Sequence, residues 1–530
     1  MERRLFLAIV LSILVLMLYS GIASHFSPPV PLQEKPSQEV PLNLPLQTEP
    51  VKEFVPQQKE IVLDDYSATL LPIEILQNED LLLSITPTGT GIKECKLSYY
   101  DAILSQTDIG LLAEWQGVQF EQYKITSGIS MSYDDKERGF EIKKTYRFTE
   151  DRYIVEMEIE FISTSSTKSY VQYGLNVGSM SQEIIKKNPI DQRYLECSVS
   201  LPSKVVRGNF LRFNPKNVDD SIQWMGIRDR YFCVIVRPLQ KVGSLAKSKN
   251  EMATSYLLQV PQFELSPGER VKHSYLMYIG PQKPELIEKL GVGAEKIINF
   301  GFFDSISHIL LGTLKILYRV SKNWGVSIIL FSLLVFLAMS PLSIKSFKSM
   351  KRMQELQPII EELKAKYKDS PQKMHKEVME LYREKKINPL GGCLPMFLQM
   401  PIFIALYQTL MRFIDLKGAS FLWIKDLSEP DRLFVFSKNL PVVGNEFNLL
   451  PVIMIVTMLL QQKLTSAKQP QAESAAQQQK MMSLFMAVFF GIIFYHMPAG
   501  LVLYWTVNSL SMLIFQIKII GRPVVKSEQT

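Results

Sequence analysis

Residues 324–342 read WGVSIILFSLLVFLAMSPL, without a single charge. Four more apolar runs follow: PMFLQMPIFIALYQTLMRF at 395–413, LLPVIMIVTMLLQQKL at 449–464, MMSLFMAVFFGIIFYH at 481–496 and LVLYWTVNSLSMLIFQIKII at 501–520. A helix that crosses about 30 Å of hydrocarbon needs roughly 20 apolar residues, with about 17 near the lower limit. Five such runs in one stretch predict a membrane-embedded α-helical bundle, because only helices and closed barrels satisfy their backbone inside lipid.

The segments between the runs set the sidedness. From Pro341 to Pro389 there are twelve Lys and Arg against seven acids, a net +5. This insert is expected on the cytoplasmic side, where basic loops accumulate. Within it, Ile360, Leu363 and Tyr367 recur at helical spacing, and Met374, Val378 and Leu381 repeat it. Asp369-Ser370-Pro371 supplies a stop, a cap and a Pro at the first helical position. A charge-laced helical hairpin over 345–388 follows, ended by Asn388-Pro389. The loop 414–446 carries four basic and five acidic residues and is placed outside. The loop 465–480, with Lys468 and Lys480 against Glu473, is placed inside, as is the basic tail 521–530.

Upstream, in the segment 1–24, Arg3-Arg4 precedes an apolar run from Leu5 to Ala23. A cleaved signal peptide and an uncleaved anchor compete, and the length of the run favours an anchor. That gives six spans with both termini in the cytoplasm. Residues 25–60, with prolines at 28, 29, 31, 36, 41, 45, 50 and 56, read as an extended linker. Residues 61–300 are β-rich. Phe140, Ile142, Tyr146 and Phe148 alternate with polar residues, as do Val155, Met157, Ile159 and Phe161. A large exported sandwich is expected. Trp115, Trp224 and Tyr231 fit core packing better than a sugar cleft. His273 has no acid beside it in sequence to complete a catalytic set. Residues 301–322 change to a helical period, predicting an amphipathic helix at the membrane surface. The four cysteines form no CxxC and lack His at ligand spacing, so neither zinc nor any other metal is expected, and free thiols are the reading.

The spans lack Asp, Glu and His at mid-depth, which argues against ion-coupled pumping. No nucleotide motif or hydrolase set is present, so no cofactor and no catalytic residue is assigned. Hydroxyls and amides are scattered instead: Ser332, Ser340, Gln399, Thr457, Asn508, Ser511 and Gln516 are candidates for lining one wet cavity. Beside them lies a soft apolar set of Met396, Met400, Phe403, Met482, Phe485, Met486 and Phe489, the kind of surface that accepts varied partners.

The residues Asn388-Pro389-Leu390-Gly391-Gly392-Cys393-Leu394-Pro395 and Gln399-Met400-Pro401-Ile402-Phe403-Ile404-Ala405-Leu406-Tyr407 closely resemble the YidC membrane-protein insertases. So do Phe421-Leu422-Trp423-Ile424-Lys425-Asp426-Leu427 and Pro498-Ala499-Gly500-Leu501-Val502-Leu503-Tyr504-Trp505. The resemblance implies a multi-pass inner-membrane protein with a periplasmic β-super-sandwich and a five-helix core over 323–520. It also implies a groove open to cytoplasm and lipid but closed outside. Nascent membrane proteins are the implied clients, taken alone or with the Sec translocon. The basic hairpin and tail offer a surface for the ribosome. Members usually carry an arginine in the groove on the first core span; counted from Trp324-Gly325 and back from Pro341-Leu342, that position is Phe336. Two other readings compete: a small-solute transporter or channel, and a membrane-anchored periplasmic carbohydrate-binding protein.

Overall fold

The computed structural model describes residues 73–520, apart from 126–127, 188–191, 216–217, 219–220, 250–251, 368–369, 388–393, 441–443 and 467–472. The expected anchor, linker and tail lie outside the described residues.

Alternating strands build the β domain. Its main sheet has nine antiparallel strands, in the order Val205–Asn209, Glu196–Ser200, Trp224–Arg228, Phe232–Pro238, Arg270–Pro281, Ile154–Ser163, Phe140–Phe148, Gly128–Asp135 and Glu121–Ile125. The long strands Ser169–Ser181 and Ala253–Leu265 pair with Ser244–Lys249 in a three-stranded sheet, and four strands between Glu74 and Ile103 form another. Register follows the pattern of the sequence: Ile142 faces Phe161 across the ladder and Tyr146 faces Met157, all four fully buried. Trp115 and Trp224 are buried core residues. Cys95, Cys197 and Cys233 are buried free thiols, and burial pushes their pKa up. The inner face of Phe140–Phe148 also carries Lys144, in phase with Phe140, Ile142 and Tyr146. Its side chain is fully buried, and its Nζ donates to the carbonyls of Thr90, at 2.9 Å, and Gly110. Desolvation drives its pKa well below the usual lysine value.

Eight helices are labelled here, from α1 at Asp304–Ser321. The helix α2 (Trp324–Glu355) follows, then α3 (Gln357–Lys366), α4 (Pro371–Glu384), α5 (Leu394–Arg412), α6 (Leu449–Ser466), α7 (Glu473–Tyr495) and α8 (Ala499–Ile520). The helix α8 packs against α2 and α6, α6 also packs on α7, and α1 lies across α2 and α5. By length and composition, Trp324–Met353 and Ala499–Lys518 are long and apolar enough to cross a membrane, and Leu449–Gln461 and Leu484–Tyr495 are shorter apolar stretches. The helix α2 does not stop at Pro341 as the first apolar run does; it continues to Glu355, and the hairpin proper begins at Gln357. Close approach explains Gly325: a Cβ built there would overlap the Phe421 ring.

The β domain and the helical C-terminal region share one apolar core, running from the sheets through Ile297 and Phe300 to Leu310, Phe331 and Tyr504. Polar contacts cross the same junction. Arg230, in the turn between two sheet strands, donates to the Met411 carbonyl at 2.7 Å and the Ser428 carbonyl at 3.1 Å. Arg412 reaches back from α5 to the Asn299 carbonyl and lies over the Tyr194 ring. Lys283 pairs with Asp415 at 2.6 Å.

Candidate functional site

The expected polar lining separates into two kinds of side chain. Most of the hydroxyls are bonded to their own helix. Ser332 Oγ donates to the Ile328 carbonyl at 2.6 Å, Thr457 Oγ1 to Ile453 at 2.8 Å and Ser511 Oγ to Val507 at 2.7 Å. Such bonds to the carbonyl four residues back satisfy the donor without any cavity. Ser340 acts differently. Its Oγ donates to the Leu337 carbonyl at 2.8 Å. Pro341 has no N–H with which to reach that carbonyl, so the hydroxyl replaces a missing rung of α2. Spacing alone could not separate this role from a groove-lining one.

The amides are the second kind. Gln399 Nε2 on α5 donates to the Tyr504 hydroxyl on α8 at 2.6 Å, a link between helices to a partner absent from the sequence reading. Asn508 is half-buried on α8. Gln516, near the end of α8, is 4% exposed, and its Oε1 has no hydrogen-bond partner. Ser343 and Ser346 are buried on α2, the helix against which α8 packs. Phe336 meets the Phe515 ring edge to face at 5.7 Å, and Phe347 approaches the same ring. An aromatic cluster therefore occupies the position where an arginine was expected.

The apolar set also divides. Phe403 is packed inside the bundle, between Phe494 at 5.9 Å and Trp505 at 5.0 Å. Met400, Phe485 and Met486 are exposed, and Phe489 stacks on Phe485. The side chains of Met396 and Met482 lie outside the described residues. In the hairpin, Ile360 is buried with Leu356 and Ile387, and Val378, Leu381, Tyr382 and Met353 pack against them. Leu363, Tyr367 and Met374 are half-buried outside that cluster.

In the β domain, His273 has partners that sequence neighbours did not reveal. Its Nδ1 shares a 2.7 Å hydrogen bond with the Tyr173 hydroxyl, which also contacts the Tyr275 hydroxyl at 2.8 Å. Burial lowers the His273 pKa. Glu114 Oε2 accepts the Gly174 N–H at 2.7 Å, and burial raises its pKa to about 7. Among the described residues no group of three or more His, Cys, Asp or Glu is placed to hold a metal ion.

Comparison with known proteins covers both halves of the chain. Residues 112–312 match the family described as YidC periplasmic domain, and residues 316–526 match the 60Kd inner membrane protein family. A membrane protein insertase YidC from Geotalea uraniireducens is 32% identical over 546 residues, covering 96% of this chain and 97% of the relative. One from Geobacter sulfurreducens is 30% identical, covering 97% and 98%. A crystal structure of an active YidC insertase is similar at 21% identity with a TM-score of 0.38, covering 84% of this chain and 94% of that one. The chain is an inner-membrane protein with a periplasmic β domain, and it belongs to the YidC membrane protein insertase family.

Proposed function

We propose that the bundle inserts nascent membrane proteins through a hydrated groove that works without a fixed cation. Gln516 carries this reading. A buried amide oxygen without a protein partner costs about 1–3 kcal/mol unless water or a ligand donor meets it. Gln516 lies in the last turns of α8, on the side expected to face the cytoplasm. There it offers an acceptor to water and to the polar flank of an entering client. The Gln399–Tyr504 pair is the second polar point, deeper along α8. With Phe336 and Phe515 packed together, attraction of an acidic flank rests on hydration and not on an ion pair.

A wet groove shortens the apolar thickness that the client's polar flank must cross. Its apolar segment then moves sideways into lipid past the exposed Met400, Phe485 and Met486. Burial of apolar surface at about 25 cal/mol per Å² drives the step, so no nucleotide is required. Six spans, with both termini in the cytoplasm, complete this reading. The basic hairpin is the surface for client capture and for the ribosome, and the Sec translocon is the partner for longer clients. The helix α1 braces the outer leaflet.

The test is insertion of a single-span client into vesicles containing purified protein. Gln516→Leu is expected to leave the bundle folded and to lower insertion several-fold, and Gln516→Asn to restore part of it. Normal insertion by the double variant Gln399→Leu/Gln516→Leu would remove the polar groove from the mechanism.

A further inference from the structure

The segment between α5 and α6 holds a feature that the insertion mechanism does not use. Strands Phe434–Leu440 and Gly444–Phe447 form an antiparallel hairpin, with Phe434 opposite Phe447 and Val435 opposite Glu446. Phe434, Val435 and Phe436 are 59%, 66% and 40% exposed. Successive strand residues point to opposite faces, so both faces of the ribbon present apolar side chains. An isolated two-stranded hairpin of this kind is marginal in water, and an uncovered apolar strand invites aggregation.

Its base is nevertheless fixed. The Tyr495 hydroxyl, at the end of α7, donates to the Glu446 carbonyl at 2.8 Å. Asn448 Nδ2 donates to the Tyr495 carbonyl at 2.8 Å, and the Arg432 N–H donates to Asn448 Oδ1 at 2.9 Å. At this base Arg432 pairs with Glu446 at 2.8 Å and with Glu429 at 3.5 Å, and farther along the ribbon the first strand carries one more charge, Lys438. The ribbon therefore stands on the ends of α6 and α7. The exposed face of α6, with Ile453, Val456 and Leu460 about one turn apart, leads up to it. The same connection touches the β domain through Arg230 and Ser428, which places the hairpin on the periplasmic side.

We propose that the hairpin 434–447 is a second membrane anchor, dipping its Phe-Val-Phe edge into the outer leaflet at the boundary between headgroups and acyl chains. The occupant of the apolar surface is lipid, because the exposed Phe434, Val435 and Phe436 continue the apolar outer face of α6 at Ile453, Val456 and Leu460. Aromatic side chains favour that depth. The proposal rests on the bundle being membrane-embedded as described above.

Spin labels at Val435→Cys or Phe436→Cys test it, in full-length Cys393→Ser protein reconstituted at low density in phospholipid vesicles. Collision with oxygen, which concentrates in lipid, is compared with collision with a water-soluble nickel complex. Labels at Val456→Cys and at the exposed Thr167→Cys of the β domain mark lipid and water. The expected ratio of oxygen to nickel accessibility at 435 and 436 is several-fold above that at 167. A ratio at 435 and 436 equal to that at 167, with 456 still in lipid, overturns the hairpin anchor and leaves the embedded bundle standing. A water-like ratio at 456 as well overturns both. Dipolar broadening between labels that persists on dilution in lipid would assign the surface to a second copy of the chain, and would also overturn the proposal.

Discussion

Ser340 shows how a polar residue type leaves its partner unread. In α2 its hydroxyl takes the carbonyl that Pro341 abandons. Ser340→Ala is expected to cost about 1 to 2 kcal/mol, because in lipid that carbonyl finds no other donor. A lowered thermal midpoint in detergent, with insertion activity retained at low temperature, is the expected result. Glu114 makes a pH prediction. Its pKa rises from 4.5 to about 7 because burial disfavours the carboxylate. The folded state then holds the proton more tightly than the unfolded state. The contribution of protonated Glu114 to the stability of the β domain is fully present below about 4.5 and is lost as pH rises through about 7. Glu114→Gln should flatten that decline in melts between pH 5 and pH 8. Lys144 was within reach of sequence reading, since it sits on the inward phase of an alternating strand. What the sequence did not carry is its acceptors, the Thr90 and Gly110 carbonyls, more than thirty residues away.

At the scale of elements, apolar periodicity located the strands 140–148 and 154–163 and the helices α5, α6 and α8 to within a few residues, whereas α7 begins at Glu473, eight residues before its apolar run and inside the stretch read as a loop. The end of α2 escaped it. The apolar run ends at Leu342, yet Ser340 takes the carbonyl that Pro341 leaves open and the helix runs on to Glu355. The hairpin seam was legible in part. Ile360, Val378 and Leu381 fall in the packed cluster, whereas Leu363, Tyr367 and Met374 lie toward its turn. The seam closes instead with Met353 and Leu356 from the end of α2 and its junction with α3, and with Ile387 beyond α4. Ile360→Asp places a charge in this small core and should cost about 3 kcal/mol or more locally. Faster amide exchange across 357–387, with exchange in α8 unchanged, is the expected signature.

At the scale of the whole molecule, the β domain is fastened to the bundle and is not carried on a loose tether. Arg230 is central, holding two carbonyls from α5 and its following loop, 181 and 198 residues away. Pairings at such separation leave no trace in spacing or composition, which is why this junction could not be read in advance. The pair Lys283–Asp415 adds to it: burial acts to lower the lysine pKa, and the hydrogen bond and charge of Asp415 together with Tyr100 raise it. Arg230→Ala removes charge-assisted bonds worth about 1.5 to 3 kcal/mol each. It should split a single thermal transition into two and expose the 282–303 segment to protease. Arg230→Lys should recover only part of the loss, because an ammonium lacks the planar fork that meets two carbonyls.

The continuity of α2 has a mechanical consequence. At about 1.5 Å per residue its 32 residues form a rod of roughly 48 Å, while the hydrocarbon layer takes up only about 30 Å. Its first turn is held where Trp324 stacks on Tyr318 at 4.0 Å and meets Phe413. The far end overhangs the membrane and carries the basic hairpin. A tilt of about 10° at the first turn sweeps that end through roughly 8 Å, about one and a half helical turns. The rod is thus expected to work as a lever, with a load on the hairpin turning α2 about the aromatic contacts of Trp324.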